Sequence, residues 1–495
     1  MSNLRRNHLP SIGMPLGMKD GVAKPTDAYY GMLPKWQLID DLMGGTLRMR
    51  EAGRAWLPME DRETAHNYDN RLQRSYLYGA FKDTIQKLSA KPFSKPVATS
   101  GDLPEQMQDM IDNIDYRKRD LTQFARLIFE DGLKYGLGHV LVDFPMTGGN
   151  LSLGAERAYG IRPYLCRIAP RDLIAWKTER QVDGSEKLIQ IRFIERRTEY
   201  VEGEGQFGEE VNEYIRVIEP KRWELWKKQA DSEEYFKVDE GVHSFDGVPL
   251  ATFYTAQDDY MTANPPLEDL AWLNLAHWQS LSDQRNILRF ARIGILFASG
   301  LDEEEIEQGV TVGASQLISS TNPEAKLQYV EHSGRAIGAG EDDLKRLEDR
   351  MEVLGLQPLV QTTGNNTATG RAMDEARTHS NIQSWIRGLE NTLQTAFEHA
   401  SEWIGATLPE DFAIDIFNDF GVSLSATDDV KALITMKQAG LIQHQTFLDE
   451  IKRRGIIADQ IDAIDEIEAI GEEALADMEA LALQVPIEED EGDDE

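Results

Sequence analysis

The spacing of apolar residues divides the chain into a helical first part, a strand-rich middle and a helical last part. Apolar positions recur at helical spacing over 28–54, 61–90 and 121–135. Residues 140–144 are a short apolar run before a proline, and they predict a strand. From 163 to 254, segments rich in β-branched and aromatic residues alternate with turn residues, as in an antiparallel meander. The pattern predicts an α+β fold.

The second half of the chain is predicted to be mostly helical. Residues 267–291 contain neither glycine nor proline, so at ~1.5 Å per residue they form a helix about 37 Å long. A compact insertion over 293–334 comes next, with strand-like pieces at 293–297, 316–318 and 327–330. Further helices are predicted over 340–354, 369–404, 428–439 and 445–453.

Negative charge is concentrated at the C-terminus. The chain carries a net charge of −34, and residues 456–495 hold sixteen acidic residues and no lysine or arginine. Four isoleucines from Ile461 to Ile470 recur every third residue and predict an amphipathic helix. Its apolar stripe must be buried, either on its own subunit or against a neighbouring one. Residues 486–495 are too polar to fold and are predicted to be a disordered acidic tail.

Composition excludes several classes of protein. Hydrophobic residues make up 41% of the chain, which is enough for a large core and excludes global disorder. No apolar run approaches the ~18 residues of a membrane span, and the first residues lack the apolar core of a signal peptide. Cys166 is the single cysteine, so neither an intrachain disulfide nor a cysteine-based metal cluster is expected. We therefore expect a protein of cytoplasmic origin without membrane contact.

Catalytic motifs are absent from the sequence. It contains no GxxxxGK followed by Ser or Thr, which is the phosphate loop of standard motor ATPases. HExxH, CxxC and GxSxG are missing as well, and the nine histidines show no pair at metal-ligand spacing. Carboxylates are so numerous that any catalytic pair chosen among them would be arbitrary. We predict no enzymatic activity, no cofactor and no metal.

Three arginines form a row near the end of the predicted 267–291 helix. Arg285, Arg289 and Arg292 stand at i, i+4 and i+7, so they share one helix face. Such rows are most often solvated faces or complements to the helix dipole, and the sequence favours that interpretation. The functional alternative is a basic row that meets phosphate groups. Because the whole chain is acidic, contact with DNA would need such a local row or an assembly that encloses the DNA.

A polar loop precedes the predicted 369–404 helix. Its small uncharged side chains and glycines are typical of weak contact without sequence preference. A loop of this length between two helices is unusual and often functional, and the alternative is a mobile surface loop. The residues concerned are Thr362, Thr363, Gly364, Asn365, Asn366 and Thr367.

Several local strings follow one another in a specific order between Tyr29 and Ile470. They are YYGMLPKWQLIDDLMGGTLRMREAGRAWLPMEDRE, YDNRLQRSYLYGAFKDTIQKLSAKPF, APRDLIAWK, RWELWKK, PPLEDLAWLNLAHWQSLSDQRNIL, GAGEDDLKRLEDRMEVLGLQPL, TATGRAMDEARTHS and KQAGLIQHQTF. In order and spacing the set resembles the portal proteins of tailed double-stranded DNA bacteriophages, in particular a portal-like branch found in phages and prophages. No single string has the specificity of a catalytic motif.

The resemblance implies a portal fold with a mixed helix and antiparallel-sheet wing, a long helical stem, a small α/β clip, a long wing-to-crown helix and a helical C-terminal crown. The parts would be a flexible N-terminal arm at 1–27, the wing at 28–263, a stem helix at 264–292, the clip at 293–339, a second stem helix at 340–354, a tunnel loop at 355–370, the long helix at 371–407, the crown at 408–485 and the acidic tail at 486–495. The arginine row would then lie on the stem, and the loop residues from Thr362 to Thr367 would line the DNA channel.

The resemblance also implies a function and partners. About twelve copies would form a closed ring at one capsid vertex, through which double-stranded DNA is packaged and ejected. The ring would bind the terminase large subunit, a head–tail adaptor, and the major capsid and scaffolding proteins. The protein would be made in the host bacterial cytoplasm and would reside in the virion. Two alternatives stay open: a capsid or tail adaptor without a DNA channel, and a carboxylate-based hydrolase.

Overall fold

The computed structural model describes residues 21–145, 155, 159–200, 207–229, 232, 234–293, 295–300, 322–330, 335–355, 368–418 and 433–453. The chain divides into two compact units, one made of residues 1–360 and 380–418 and the other of residues 361–379 and 419–495. The first unit combines helices with antiparallel sheets, which confirms the predicted α+β class. No helix in the described part of the chain is long and apolar enough to cross a membrane.

The helices of the described residues are numbered in chain order. They are α1 (Asp27–Met43), α2 (Gly45–Ala52), α3 (Ala65–Arg74), α4 (Ala80–Ala90), α5 (Glu105–Gln108), α6 (Leu121–Tyr135), α7 (Glu268–Ile293), α8 (Arg335–Leu354), α9 (Ala368–Trp403) and α10 (His444–Arg453). Side-chain caps start several of them: the hydroxyl of Thr26 accepts from the backbone N–H of Tyr29, and the carboxylate of Asp120 accepts from that of Gln123.

The strands are numbered in the same way. They are β1 (Ala98–Ser100), β2 (Leu137–Asp143), β3 (Tyr164–Ile168), β4 (Leu173–Arg180), β5 (Glu186–Tyr200), β6 (Glu209–Glu219), β7 (Arg222–Lys228), β8 (Tyr235–Val242), β9 (Leu250–Tyr254), β10 (Gln257–Asp259), β11 (Thr262–Ala263), β12 (Ile295–Ser299), β13 (Lys326–Val330) and β14 (Ala413–Asp415). Every strand pair among them is antiparallel.

Two predicted helical runs differ in detail from the observed helices. In the 28–54 run the sequence predicts interruptions at Pro34 and at Gly44-Gly45. The helix α1 does end before Gly44, but it continues through Pro34, where burial of Leu33 and Trp36 offsets the lost hydrogen bond. The 61–90 run is two helices, because Ser75 takes an extended conformation after α3.

A three-stranded sheet with the order β3-β2-β9 forms the centre of the first unit. All seven residues of β2 are buried. Helix α6 packs on this sheet so closely that a Cβ added to Gly132 would lie 2.3 Å from Cε1 of Phe253. Glycine is therefore the residue that this contact permits.

A five-stranded meander with the order β4-β5-β6-β7-β8 adjoins the central sheet. The meander is shorter than the predicted 163–254 segment, because β3 and β9 at its two ends pair with β2 instead. Apolar side chains from both sheets, including Leu141, Ile191 and Ile218, share one core. An ion pair also joins the sheets: Arg216 donates through Nη1 to Asp143 Oδ2 at 2.7 Å and through Nη2 to Oδ1 at 3.1 Å.

Helices α7 and α8 pack against each other in opposite directions. Gln284 Nε2 donates to the carbonyl oxygen of Ile337 at 2.8 Å, and His277 Nε2 lies 3.1 Å from Glu348 Oε1, so late residues of α7 meet early residues of α8. Between the helices, β12 and β13 pair as two of the predicted strand pieces. The third piece, 316–318, lies outside the described residues. The helix predicted from residue 340 begins at Arg335.

The second half of α9 closes the core of the first unit. Ile382, Ile386, Leu389 and Leu393 recur at helical spacing and are buried. The indole of Trp385 donates to the carbonyl oxygen of Thr255 at 2.9 Å, which attaches α9 to the end of β9. Residues 408–418, which the resemblance assigns to the crown, follow α9, and within them β14 pairs with β1 of the first unit.

The described part of the second unit is small. Residues 433–438 and α10 are helical, and Leu433, Phe447 and Ile451 pack together between them. The ammonium group of Lys437 lies 4.7 Å from the centre of the Phe447 ring. The predicted amphipathic helix from Ile461 onwards and the acidic tail lie outside the described residues.

Candidate functional site

The predicted arginine row continues the buried stripe of α7. Ala271, Leu275 and Trp278 are buried on one face at spacings of three and four residues. Ser282 continues that stripe and is buried, and Arg285, Arg289 and Arg292 extend it as exposed residues. The first half of α7 is therefore anchored in the core, whereas the same stripe of its second half presents positive charge.

A second helix brings more positive charge to this row. Arg71 and Arg74 stand in the last turn of α3, and together with α7 they border a cleft of about 470 Å³. The cleft is lined by Arg71, Arg74, Ser75, Ser282, Arg285, Asn286, Leu288, Arg289 and Arg292. None of these nine described residues is acidic. We call this site the arginine cleft.

Arg71 is already paired and serves to shape the arginine cleft. It is buried, and its Nε and Nη2 donate to the two carboxylate oxygens of Glu63 at 3.0 and 2.8 Å. Nη2 also donates to the carbonyl oxygen of Pro58 at 2.8 Å. The hydrogen bond to Glu63 raises the pKa of Arg71, and the same bond lowers the pKa of Glu63.

Arg74 and Arg285 are exposed and lie on opposite walls of the arginine cleft. Arg74 ends α3, and Arg285 belongs to α7. Cζ of Arg285 lies 4.9 Å from the centre of the Tyr76 ring, in a cation–π contact. Tyr76 follows α3 in the chain, so this contact joins the two walls of the arginine cleft.

A depression of mixed charge adjoins the arginine cleft. It measures about 510 Å³, and its lining holds four acidic residues, Glu60, Asp61, Glu63 and Asp283, and three arginines, Arg62, Arg71 and Arg289. Asp283 Oδ1 lies 3.6 Å from Arg71 Nη1. Burial raises the pKa of the Asp283 carboxyl, and Arg71 partly offsets that rise. The carboxylates of this depression limit the size of an anion that the arginine cleft can accept without meeting negative charge.

The structure brings together some of the predicted site residues and adds others. Arg285, Arg289 and Arg292 share one face as predicted, but Arg71, Arg74 and Ser282 were not among the candidates. Basic residues in the last turn of α3 are typical of a helix end, so nothing in the sequence distinguishes them. The loop residues Thr362, Thr363, Gly364, Asn365, Asn366 and Thr367 lie outside the described residues.

The single cysteine lies in β3 and is a poor candidate for a nucleophile. Burial raises the pKa of the Cys166 thiol to about 12, and the Asp143 carboxylate adds to the effect. A thiol with this pKa stays protonated at neutral pH and is a poor nucleophile. Within the described ranges, no group of three or more His, Cys, Asp or Glu side chains could hold a metal ion.

Comparison with known sequences finds one family. A family model described as "Domain of unknown function (DUF4055)" matches residues 266–404, which hold α7, α8 and α9. Part of the arginine cleft therefore lies inside the matched segment and part, from α3, outside it. No curated protein matches the chain significantly.

Comparison with solved structures finds chains of gene transfer agent (GTA) particles. One belongs to the neck of an empty GTA particle computed with C6 symmetry, with 11% identity, a TM-score of 0.43, and coverage of 74% of this chain and 88% of that chain. Another belongs to the neck of a native GTA particle computed with C12 symmetry, with 12% identity, a TM-score of 0.42, and coverage of 81% and 95%. A third belongs to the virion of the native particle, with 11% identity, a TM-score of 0.42, and coverage of 75% and 88%.

Proposed function

We propose that this chain is a portal-type subunit of a tailed phage or phage-like particle. The observation that carries the proposal is the succession of α7, the antiparallel β12–β13 strand pair and α8. A long helix precedes the strand pair, and a second helix returns antiparallel along the first. This is the order that the resemblance requires of a stem, a clip and a second stem helix, with the wing at 28–263 before them.

The charge distribution on α7 supports a place in the wall of a ring. Its first half is fixed by buried contacts of Leu275 and Trp278, so its second half is a rigid extension of the core. In the proposed ring, Arg285, Arg289 and Arg292 face the channel or the neighbouring subunit. A few basic positions on a chain of net charge −34 would guide DNA without holding it.

The other parts of the proposal follow from the resemblance. The loop from Thr362 to Thr367 lines the narrowest part of the channel, and the ring binds the terminase large subunit, a head–tail adaptor, and the capsid and scaffolding proteins. Because the sequence has no phosphate loop, the separate terminase supplies the hydrolysis that drives packaging. The protein itself is a structural component of the virion rather than an enzyme.

The experiment that tests the proposal measures the assembly of the full-length protein. Mass photometry gives the number of subunits, and negative-stain imaging shows whether the particle has a central hole. Rings of about twelve subunits with a hole are the expected result. A particle without a hole would favour the adaptor, and a monomer with metal-dependent hydrolysis would favour the enzyme; either result overturns the proposal.

A further inference from the structure

The hydroxyl of Ser282 is buried and makes no hydrogen bond. Ser282 is 4% exposed and lines the arginine cleft, and its Oγ has no hydrogen-bond partner among the described residues. A buried hydroxyl without a partner is costly, because it has lost its contact with water and gained nothing in return. An acceptor atom bound in the arginine cleft would remove that cost.

Arginine side chains supply positive charge around the same space. The Tyr76 ring lies against Arg285 at 4.9 Å, and a ring in this position leaves the N–H edge of a guanidinium available to an acceptor. Arg74 contributes a second exposed guanidinium from α3. Since none of the nine described lining residues is acidic, no carboxylate of the lining competes with an incoming anion.

The size and the surroundings of the arginine cleft favour a compact anion. A volume of about 470 Å³ lies within the range of small-ligand sites and admits a phosphate group with its substituents. The adjoining depression mixes four acidic residues with three arginines, so of the two described linings only that of the arginine cleft offers an anion a surface without carboxylates. A phosphate group also has more acceptor oxygens than a carboxylate, so it can bond two guanidinium groups and one hydroxyl together.

We propose that the arginine cleft binds one phosphate group, with Ser282 Oγ, Arg285 and Arg74 as its donors. The group belongs either to a free phosphate or nucleotide or to the backbone of a nucleic acid, since both present the same oxyanion. All three donors come from one subunit. The site therefore exists whether or not the chain assembles into a ring, and its failure can be distinguished from failure of the portal proposal.

Isothermal titration calorimetry of the full-length protein with inorganic phosphate, at constant ionic strength, tests the site. We expect saturable binding with one phosphate per subunit. Loss of a hydrogen bond to a charged group should raise the dissociation constant about tenfold in Ser282→Ala and at least about tenfold in Arg285→Lys. Arg346→Ala, which removes an exposed arginine from α8, is the matched control and should bind as the wild type does.

Competition experiments distinguish the two sources of phosphate. If a short DNA duplex displaces inorganic phosphate from the wild type and binds Ser282→Ala more weakly, the nucleic-acid backbone is the source. If the duplex does not compete, free phosphate or a nucleotide is the source. The proposal is overturned if phosphate does not bind saturably, if chloride at equal ionic strength displaces it equally well, if an oligoglutamate peptide binds the cleft more tightly, or if neither variant changes the affinity.

Discussion

Glu63 and Arg71 form a largely buried ion pair with two hydrogen bonds, which joins the segment before α3 to the last turn of that helix. Arg71 donates through Nε and Nη2, at 3.0 and 2.8 Å. Only 10% of the Glu63 side chain and 4% of the Arg71 side chain are accessible to solvent. The pair therefore stabilises one wall of the arginine cleft and keeps Arg71 from acting as a ligand there.

Replacement of Glu63 should destabilise the protein. Glu63→Gln removes the closer of the two carboxylates beside the buried guanidinium of Arg71, and such a loss costs about 3 kcal/mol. Urea denaturation followed by fluorescence measures the change in the free energy of unfolding. Glu51→Gln is the matched control, because Glu51 pairs with Arg48 at 3.1 Å on the surface, where an ion pair contributes at most about 1 kcal/mol.

The same pair predicts a direction of pH dependence. Because Arg71 lowers the pKa of Glu63 in the folded state, the pair stabilises the protein fully at any pH above the pKa that Glu63 has in the unfolded chain. That contribution is lost as the pH falls through the lower pKa of the folded state. If Glu63→Gln and Glu51→Gln were equally sensitive to urea, that result would contradict the structural role of Glu63.

His139 should make the fold sensitive to mild acid. It is buried in β2 with Nδ1 3.1 Å from the Thr252 hydroxyl, and burial lowers its pKa from 6.5 to about 4. Between these values the unfolded chain binds a proton that the folded chain does not, so stability falls as the pH falls. At about pH 5 the loss from this group should reach about 2 kcal/mol relative to neutral pH.

Urea denaturation of His139→Gln at neutral pH and at about pH 5 checks this contribution. The variant starts with a lower stability but should lose less of it on acidification than the wild type. His66→Gln is the control, since His66 is exposed on α3, and it should keep the pH dependence of the wild type. Parallel pH profiles for the wild type and His139→Gln would refute the assignment.

Reversal of charge along α7 should impair assembly or DNA packaging without unfolding the subunit. The variant Arg285→Glu, Arg289→Glu, Arg292→Glu changes exposed residues only, so circular dichroism should match the wild type. Ring formation by mass photometry and DNA packaging in the parent particle are the measurements.

A second triple variant controls for the change in net charge. This variant carries three substitutions at exposed positions of α8, Lys345→Glu, Arg346→Glu and Arg350→Glu, and they change the net charge by the same amount. It should assemble and package normally. Normal rings together with normal packaging in the α7 variant would exclude the proposed role of the row.

Deletion of residues 362–367 should permit ring assembly and reduce packaging or retention of DNA. The segment contains no lysine or arginine, so its contact with DNA should be steric and insensitive to salt. A variant with the same number of glycine and serine residues in its place is the control for length, and it should retain more DNA than the deletion. A structure of the ring with this segment on its outer rim would rule out a channel lining.

Local sequence determined the positions of many elements. The predicted bounds of the 121–135 helix agree with α6, and the predicted helix over 267–291 differs from α7 by a residue or two at each end. Both depend on apolar spacing, and α6 depends also on its capping residue Asp120; these are properties of neighbouring residues in the chain. The shared face of Arg285, Arg289 and Arg292 follows from helical geometry alone.

Tertiary structure decided which elements meet. Residues of β3 and β9 have the same strand-forming composition as the meander between them, and only pairing with β2 separates them from it. In the same way, apolar spacing showed that α7 has a face to bury but not that α3 would lie beside it. Arg74, Ser282 and Arg285 come together because two helices far apart in the chain have complementary surfaces, and periodicity along one chain carries no information about that partner.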